Sequence, residues 1–138
     1  GSRQLNAEVG TDLPCFVPSS YIPQESVRIA LYRRLLRLGS LAELHEIEKE
    51  VQDRFGRPPD SLKNLLSISF LRARGGFYGI LSLESTRFET VLTGGGPLFE
   101  QLAGTRRWRA EPGRLRGPGG RDALDDLMSG LRHVKQVL

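Results

Sequence analysis

Two groups of side chains in this sequence have types and spacings that could do chemistry. The first is Glu43, Glu46, Glu50 and Asp53, four carboxylates spaced three and four residues apart. At 100° per helical residue they fall within about 80° of one another, so a helix would present them as one ridge. They repel each other at that spacing. Lys49 and Arg54 do not sit in the ridge to neutralise it. Such a ridge is either a solvated face or a docking surface for arginines on a partner. The second group is Arg106-Arg107-Trp108-Arg109, followed by Arg114 and Arg116. Its arginines could neutralise phosphates and its indole could stack a base. The other reading is a hairpin edge blunted by arginine, with Trp108 turned into the core.

Neither group is a catalytic constellation, and none is found elsewhere. His45 and His133 lie far apart, with no HExxH or triad pattern near either. Cys15 stands between Pro14 and Phe16, where a small apolar residue explains it better than a nucleophile. One cysteine excludes an internal disulfide, and with two histidines it gives no set of Cys and His ligands for zinc. Neither GxxxxGK[ST] nor GxGxxG occurs, so no loop of those types cradles a nucleotide. Gly94-Gly95-Gly96-Pro97 reads as a turn. The expectation is a chain without catalytic, metal or cofactor sites.

The carboxylate ridge needs a helix, and the flanking sequence supplies one. Ser40-Leu41-Ala42-Glu43 fits a capping box, and Leu44, Ile47, Val51 and Phe55 form an apolar stripe. Gly56 with Pro58 and Pro59 stops the helix. An earlier helix spans 24–38, with Val27, Leu31, Leu35 and Leu38 inward, Tyr32 and Leu36 broadening the stripe, and Gly39 closing it. The short connection predicts an antiparallel helical hairpin. A third helix over 61–74 is apolar almost all round, through Leu62, Leu65, Leu66, Ile68, Phe70 and Leu71, and should be the most buried.

Before these helices, 5–13 reads as a short strand. Residues 13–23 read as an extended segment held down by Phe16, Val17, Tyr21 and Ile22. After them, 77–83 and 87–93 read as a β-hairpin and 98–103 as a short helix. Short strands or loops then surround Trp108 and Leu115, and a last helix runs over 121–138. Helices and strands are segregated rather than alternating. The fold class is α+β: a helical hairpin plus a third helix, packed with a small antiparallel sheet and a C-terminal helix.

The 138 residues suffice for one domain, read as 4–138, with Gly1-Ser2 set aside as a cloning scar. Residues 1–60 carry 8 basic and 9 acidic side chains, and 61–138 carry 12 and 7, so the positive charge lies in the second part. That excess falls short of a dedicated nucleic-acid footprint. No apolar run approaches bilayer length and no signal peptide is visible, which points to a soluble, cytoplasmic protein without a membrane partner.

Three segments together carry a family resemblance: LPCFVPSSYIP, RIALYRRL and ELHEIEKEVQDRFGRPPDSLKNLL. This pattern resembles the C-terminal domain of the bacterial transcription-repair coupling factors, the Mfd family. Arg28, Tyr32, Arg33, Glu50, Asp53, Arg54, Phe55, Gly56 and Pro59 fall on the family's motif positions. The resemblance implies a non-catalytic regulatory domain, with the ATP-driven DNA translocase upstream of it. It implies packing on a UvrB-like module of the same protein, which masks UvrA binding and restrains the motor until RNA polymerase is engaged. By motif position Glu50 and Asp53, with Glu46 and Glu43 beside them, would face arginines of that module, and DNA would be reached only through the full-length protein. The alternative function is a nucleic-acid-binding module using Arg106, Arg107, Trp108, Arg109, Arg114 and Arg116.

Overall fold

A computed structural model describes residues 6–138. Gly1-Ser2 and the start of the first expected strand lie outside the described residues. In chain order the elements are β1 (Glu8–Thr11), α1 (Glu25–Leu35), α2 (Leu41–Phe55), α3 (Asp60–Arg74), β2 (Ile80–Ser85), β3 (Glu89–Gly94), α4 (Pro97–Ala103), β4 (Arg109–Glu111), β5 (Arg114–Pro118) and α5 (Gly120–Leu131). The class is α+β, as the pattern of elements predicts.

The sheet is mixed rather than purely antiparallel. Its order is β1-β2-β3-β5-β4, and β1 runs parallel to β2 with Val9 opposite Leu83. The remaining neighbours are antiparallel. The parallel pair arises because three helices intervene between β1 and β2 and carry the chain back to the starting end of the sheet. Ile80, Leu83, Leu92 and Leu115 point inward and are buried, together with Leu124, Leu127 and Leu131 of α5 and Leu98 and Leu102 of α4. Two hydroxyls enter this apolar layer, Ser85 and Thr90, and they satisfy each other at 2.9 Å.

α3 is the central helix, as its all-round apolar pattern requires. Leu62, Leu66, Ile68, Phe70 and Leu71 are buried in it. α2 lays Leu44, Ile47 and Val51 into the same core. Its cap forms as the sequence predicts. Ser40 Oγ accepts the Glu43 N–H at 3.1 Å, while the Glu43 carboxylate reaches back to the Gly39 N–H at 3.0 Å. At the other end Gly56 takes φ +87°, a conformation that favours glycine, and terminates α2.

Several expectations are corrected. α1 ends at Leu35, four residues before Gly39, and Gly39 does not adopt a positive φ. Tyr32 lies near the surface, with its hydroxyl accepting the Val17 N–H at 2.8 Å. Leu36, just past the helix, is 84% exposed, so neither residue broadens the buried stripe. In the segment before α1, Val17 and Ile22 are buried as anchors, but Phe16 is half-exposed. Residues 75–78 form a 3-10 turn instead of starting a strand, because adjacent glycines at 75 and 76 let the chain tighten directly off α3. Gly79 and Gly94 then pass backbone to backbone, so that a Cβ on either would collide with the other segment's carbonyl. Finally, α5 stops at Leu131. The next residues turn away, the Val137 N–H bonds to the Phe77 carbonyl, and Leu138 is half-exposed rather than on a buried face.

Candidate functional site

The carboxylates of α2 lie on the side of the helix away from its buried stripe. Glu46, Glu50 and Asp53 are exposed, and Glu43 is partly shielded by its capping role. Glu46 and Asp53 make no side-chain hydrogen bond or ion pair within the described residues. Glu50 differs, because it is met from the neighbouring helix by Arg34 of α1. Arg34 Nη1 lies 2.6 Å from Oε2 and Nη2 lies 3.3 Å from Oε1, a two-pronged pair. The hydrogen bond from Arg34, and then its charge, hold the Glu50 carboxyl below its ordinary range. The same contact raises the Arg34 pKa, and the charges of Glu50, Glu43 and Glu46 act in that direction too.

The sequence-level view of the ridge as uncompensated therefore needs one correction. The residue that offsets it is in α1, where no spacing rule within α2 would reveal it. Signals for it existed in the helical hairpin and in the cation at position 34. The exposed charge left on the face is that of Glu46 and Asp53.

The surroundings of the ridge are firm. Tyr21 packs its ring against Phe55 with centroids 5.9 Å apart, and its hydroxyl donates to the Gly56 carbonyl. Arg28 ties the same entering segment down by donating to the carbonyls of Ile22 and Pro23, each at 2.8 Å. Tyr21, Arg28 and Gly56 thus fix the end of the helix that carries Asp53. Phe55 itself is only partly buried.

The arginine-rich group is built differently from a nucleic-acid platform. Trp108 is buried, and its Nε1–H donates to Asp126 Oδ2 at 2.8 Å. Its ring lies so close over Gly117 that a Cβ there would collide with it. An enclosed indole cannot stack a base, and Trp108 is a core residue. Arg107 pairs with the same carboxylate at 3.0 Å. On the edge strand β4 and its neighbour β5, Glu111 collects Arg109 at 3.3 Å, Arg116 at 3.1 Å and Arg114 at 4.0 Å, while Arg116 also reaches Glu89 at 2.7 Å. The hydrogen bond from Arg116 holds the Glu111 carboxyl low. Arg106 is exposed and has no such partner among the described residues. This cross-strand network offsets most of the local positive charge and blunts the sheet edge.

The other sequence candidates are not brought together. His45 is exposed on α2, and His133 is exposed beyond the end of α5. Cys15 is half-buried, and burial pushes its thiol pKa up despite Arg72 and Arg121 nearby, which disfavours the nucleophilic thiolate. Among the described residues no cluster of His, Cys, Asp or Glu is arranged to hold a metal ion. No described helix is long and apolar enough to cross a membrane.

Comparison with known proteins joins these observations. The TRCF domain family model matches residues 11–95, more than half of the chain, and this span contains the whole acidic face. The Transcription-repair-coupling factor of Haemophilus influenzae is 39% identical over 69 residues, covering 50% of this chain and 6% of that protein. Its counterpart in Escherichia coli is 38% identical over 77 residues, covering 56% of this chain and 7% of that protein. The Helicobacter pylori protein is 31% identical over 95 residues, covering 67% and 10%. The chain thus spans a tenth or less of the length of these relatives. The crystal structure of the C-terminal domain of transcription-repair coupling factor superposes with a TM-score of 0.66 at 19% identity, covering 94% of each chain, which establishes a shared fold. The family model covers more than half of the chain and the solved domain shares its fold, and the chain belongs to the TRCF domain family.

Proposed function

We propose that this chain is a non-catalytic, autoinhibitory docking domain of a bacterial transcription-repair coupling factor. It packs through the acidic face of α2 on a UvrB-like module of the same protein, masks the surface that recruits UvrA, and restrains a translocase motor located elsewhere in that protein. RNA polymerase engagement releases it, and the setting is the cytoplasm. The observation that supports the reading best is Asp53, an exposed carboxylate beside Glu50 at the end of α2 that Tyr21 and Gly56 hold, with no partner of its own in the described residues. Two carboxylates one turn apart can receive arginines from a single opposing surface, and a desolvated pair of that kind is strong and specific.

The test is association of this chain with the UvrB-like module supplied separately. Glu50→Ala with Asp53→Ala should weaken binding roughly 30-fold or more, since the opposing arginine would be left buried and unpaired. Binding should also weaken as salt is raised. Unchanged affinity in the double variant would make the face ordinary solvated surface. The nucleic-acid reading gains no support from the geometry, because Trp108 is enclosed and Arg107, Arg109, Arg114 and Arg116 already have carboxylate partners.

A further inference from the structure

The acidic face of α2 is answered by a cation of the domain's own, and that cation stands where an incoming arginine would have to go. Arg34 spends two guanidinium nitrogens on Glu50, at 2.6 Å to Oε2 and 3.3 Å to Oε1. Both oxygens of the carboxylate are thus engaged before any partner arrives. Nothing else grips the Arg34 side chain: within the described residues it makes no other hydrogen bond, ion pair or ring contact. Both members of the pair reach solvent, so the contact can open and another arginine can approach it. The charges of Glu43 and Glu46 also act on Arg34, which places its guanidinium in the field of the ridge as well as of Glu50. Arg33, the next residue, is exposed and does not reach Glu50. Asp53 is exposed and carries no internal cation.

A partner's arginine has two ways to obtain Glu50. It can share the carboxylate, which has about four lone-pair sites, but two guanidinium groups then sit side by side as like charges. Or it can displace Arg34 into water, in which case one pair is broken for each pair made and Glu50 contributes only the difference. Either course costs the docked state something that it would not cost if position 34 were neutral. Asp53 is exempt, so the two carboxylates are unequal: Asp53 is open from the start and Glu50 must be won. We propose that Arg34 is an internal competitor for the docking carboxylate Glu50, and that it keeps the contact of α2 with a cationic partner weak enough to release. The proposal rests on the reading of this face as a docking surface for arginines, and it assigns to α1 the residue that sets how tightly that surface holds.

The test uses two ligands at constant ionic strength: the amide of the dipeptide arginyl-arginine, titrated into this chain and followed by heteronuclear NMR, and the UvrB-like module, whose association with this chain is measured directly. Arg34→Ala should tighten both about fivefold, the upper end of what an exposed pair contributes. In the peptide titration the shifts of the parent chain should centre on the amide of Asp53, and in Arg34→Ala they should extend to that of Glu50. Arg33→Ala removes the same charge from a neighbouring position without touching Glu50, and should change either affinity by less than about twofold. Weaker or unchanged binding in Arg34→Ala would overturn the proposal, because Arg34 would then orient Glu50 for the partner or be indifferent to it. Equal tightening in Arg33→Ala would overturn it too, by reducing Arg34 to one more nearby charge. The docking reading fails separately, if the parent chain does not bind the module or if Glu50→Ala with Asp53→Ala leaves that binding intact. The peptide titration then still decides whether Arg34 competes for Glu50.

Discussion

Arg34 and Glu50 meet through hydrogen bonds of 2.6 and 3.3 Å, joining the last turn of α1 to the face of α2. The pair lies at the surface, with 43% and 55% of the two side chains exposed, so its main effect is on titration and orientation rather than on stability. Glu50 has a folded pKa below its ordinary value of 4.5, caused first by the hydrogen bond from Arg34. A depressed carboxylate contributes stability above its ordinary pKa, and that contribution fades as pH falls through the lower, folded value. Carbon-detected NMR of the Glu50 carboxyl should therefore show a midpoint below 4.5. Arg34→Ala should move it up toward that value. A midpoint that ignores the substitution would mean the pair is absent in solution.

Removing the outward carboxylates should leave the domain folded. Glu50→Ala with Asp53→Ala should change the thermal midpoint by no more than about 3 °C, because exposed charges contribute little and some mutual repulsion is relieved. Calorimetry checks this, and it is the control that lets a loss of docking be read as a contact effect. A collapse of the melting transition would show that these side chains hold the helix together.

Phe55 and Phe70 should differ in what they contribute. Phe70 is 1% exposed at the centre of α3, and Phe70→Ala should cost about 3–5 kcal/mol. Phe55 is half-buried against Tyr21, and Phe55→Ala should cost about 2 kcal/mol, since less of its ring leaves water on folding. Urea unfolding of the two variants decides it. Equal losses would place Phe55 as deeply as Phe70.

The buried indole gives an optical test of the arginine-rich segment. Asp126→Ala removes the acceptor of the Trp108 N–H and should cost about 1–3 kcal/mol. Gly117→Ala should cost a similar 1–3 kcal/mol by pushing a methyl group into the ring. Trp108 emission should stay unchanged on adding single-stranded DNA, since the ring is enclosed. Saturable quenching by DNA would show that the ring is reachable after all.

Local patterns in the sequence predicted the helices well. The apolar spacing of α2, its Ser40 cap and its Gly56 stop all lie within a few residues of each other, and the acidic face follows from them by geometry alone. α3 was equally readable, because a helix apolar on all sides has to be central. The features that were hidden depend on distant partners. Arg34 reaches Glu50 across 16 residues, and Trp108 finds Asp126 across 18, so no short-range periodicity reports either contact. Leu36 fits a helical stripe but falls just beyond the point where α1 stops, and so it lies in solvent. The apolar run 77–83 begins with residues that the two preceding glycines draw into a 3-10 turn, which delays the strand to Ile80. Apolar spacing alone overextends the last helix, because Val134 and Leu138 continue its pattern although the chain has already turned to bond with Phe77.

The parallel pairing of Val9 with Leu83 has a consequence for where this unit can be cut. β2 takes its outer hydrogen bonds from a strand that precedes all the helices, while β3 takes its own from β5, beyond the family-matched segment. A piece trimmed to residues 11–95 would keep the helices and the acidic face but strip both flanks from the central hairpin. Ile80–Ser85 and Glu89–Gly94 would each present a bare row of amides and carbonyls, the template on which chains join edge to edge. Ring closure between β1 and β2 must also wait until the helices have gathered, which makes β1 a late arrival during folding. The unit that keeps both flanks of this hairpin covered is therefore wider than the family-matched segment, and β1 is the seam that closes the outer side of β2.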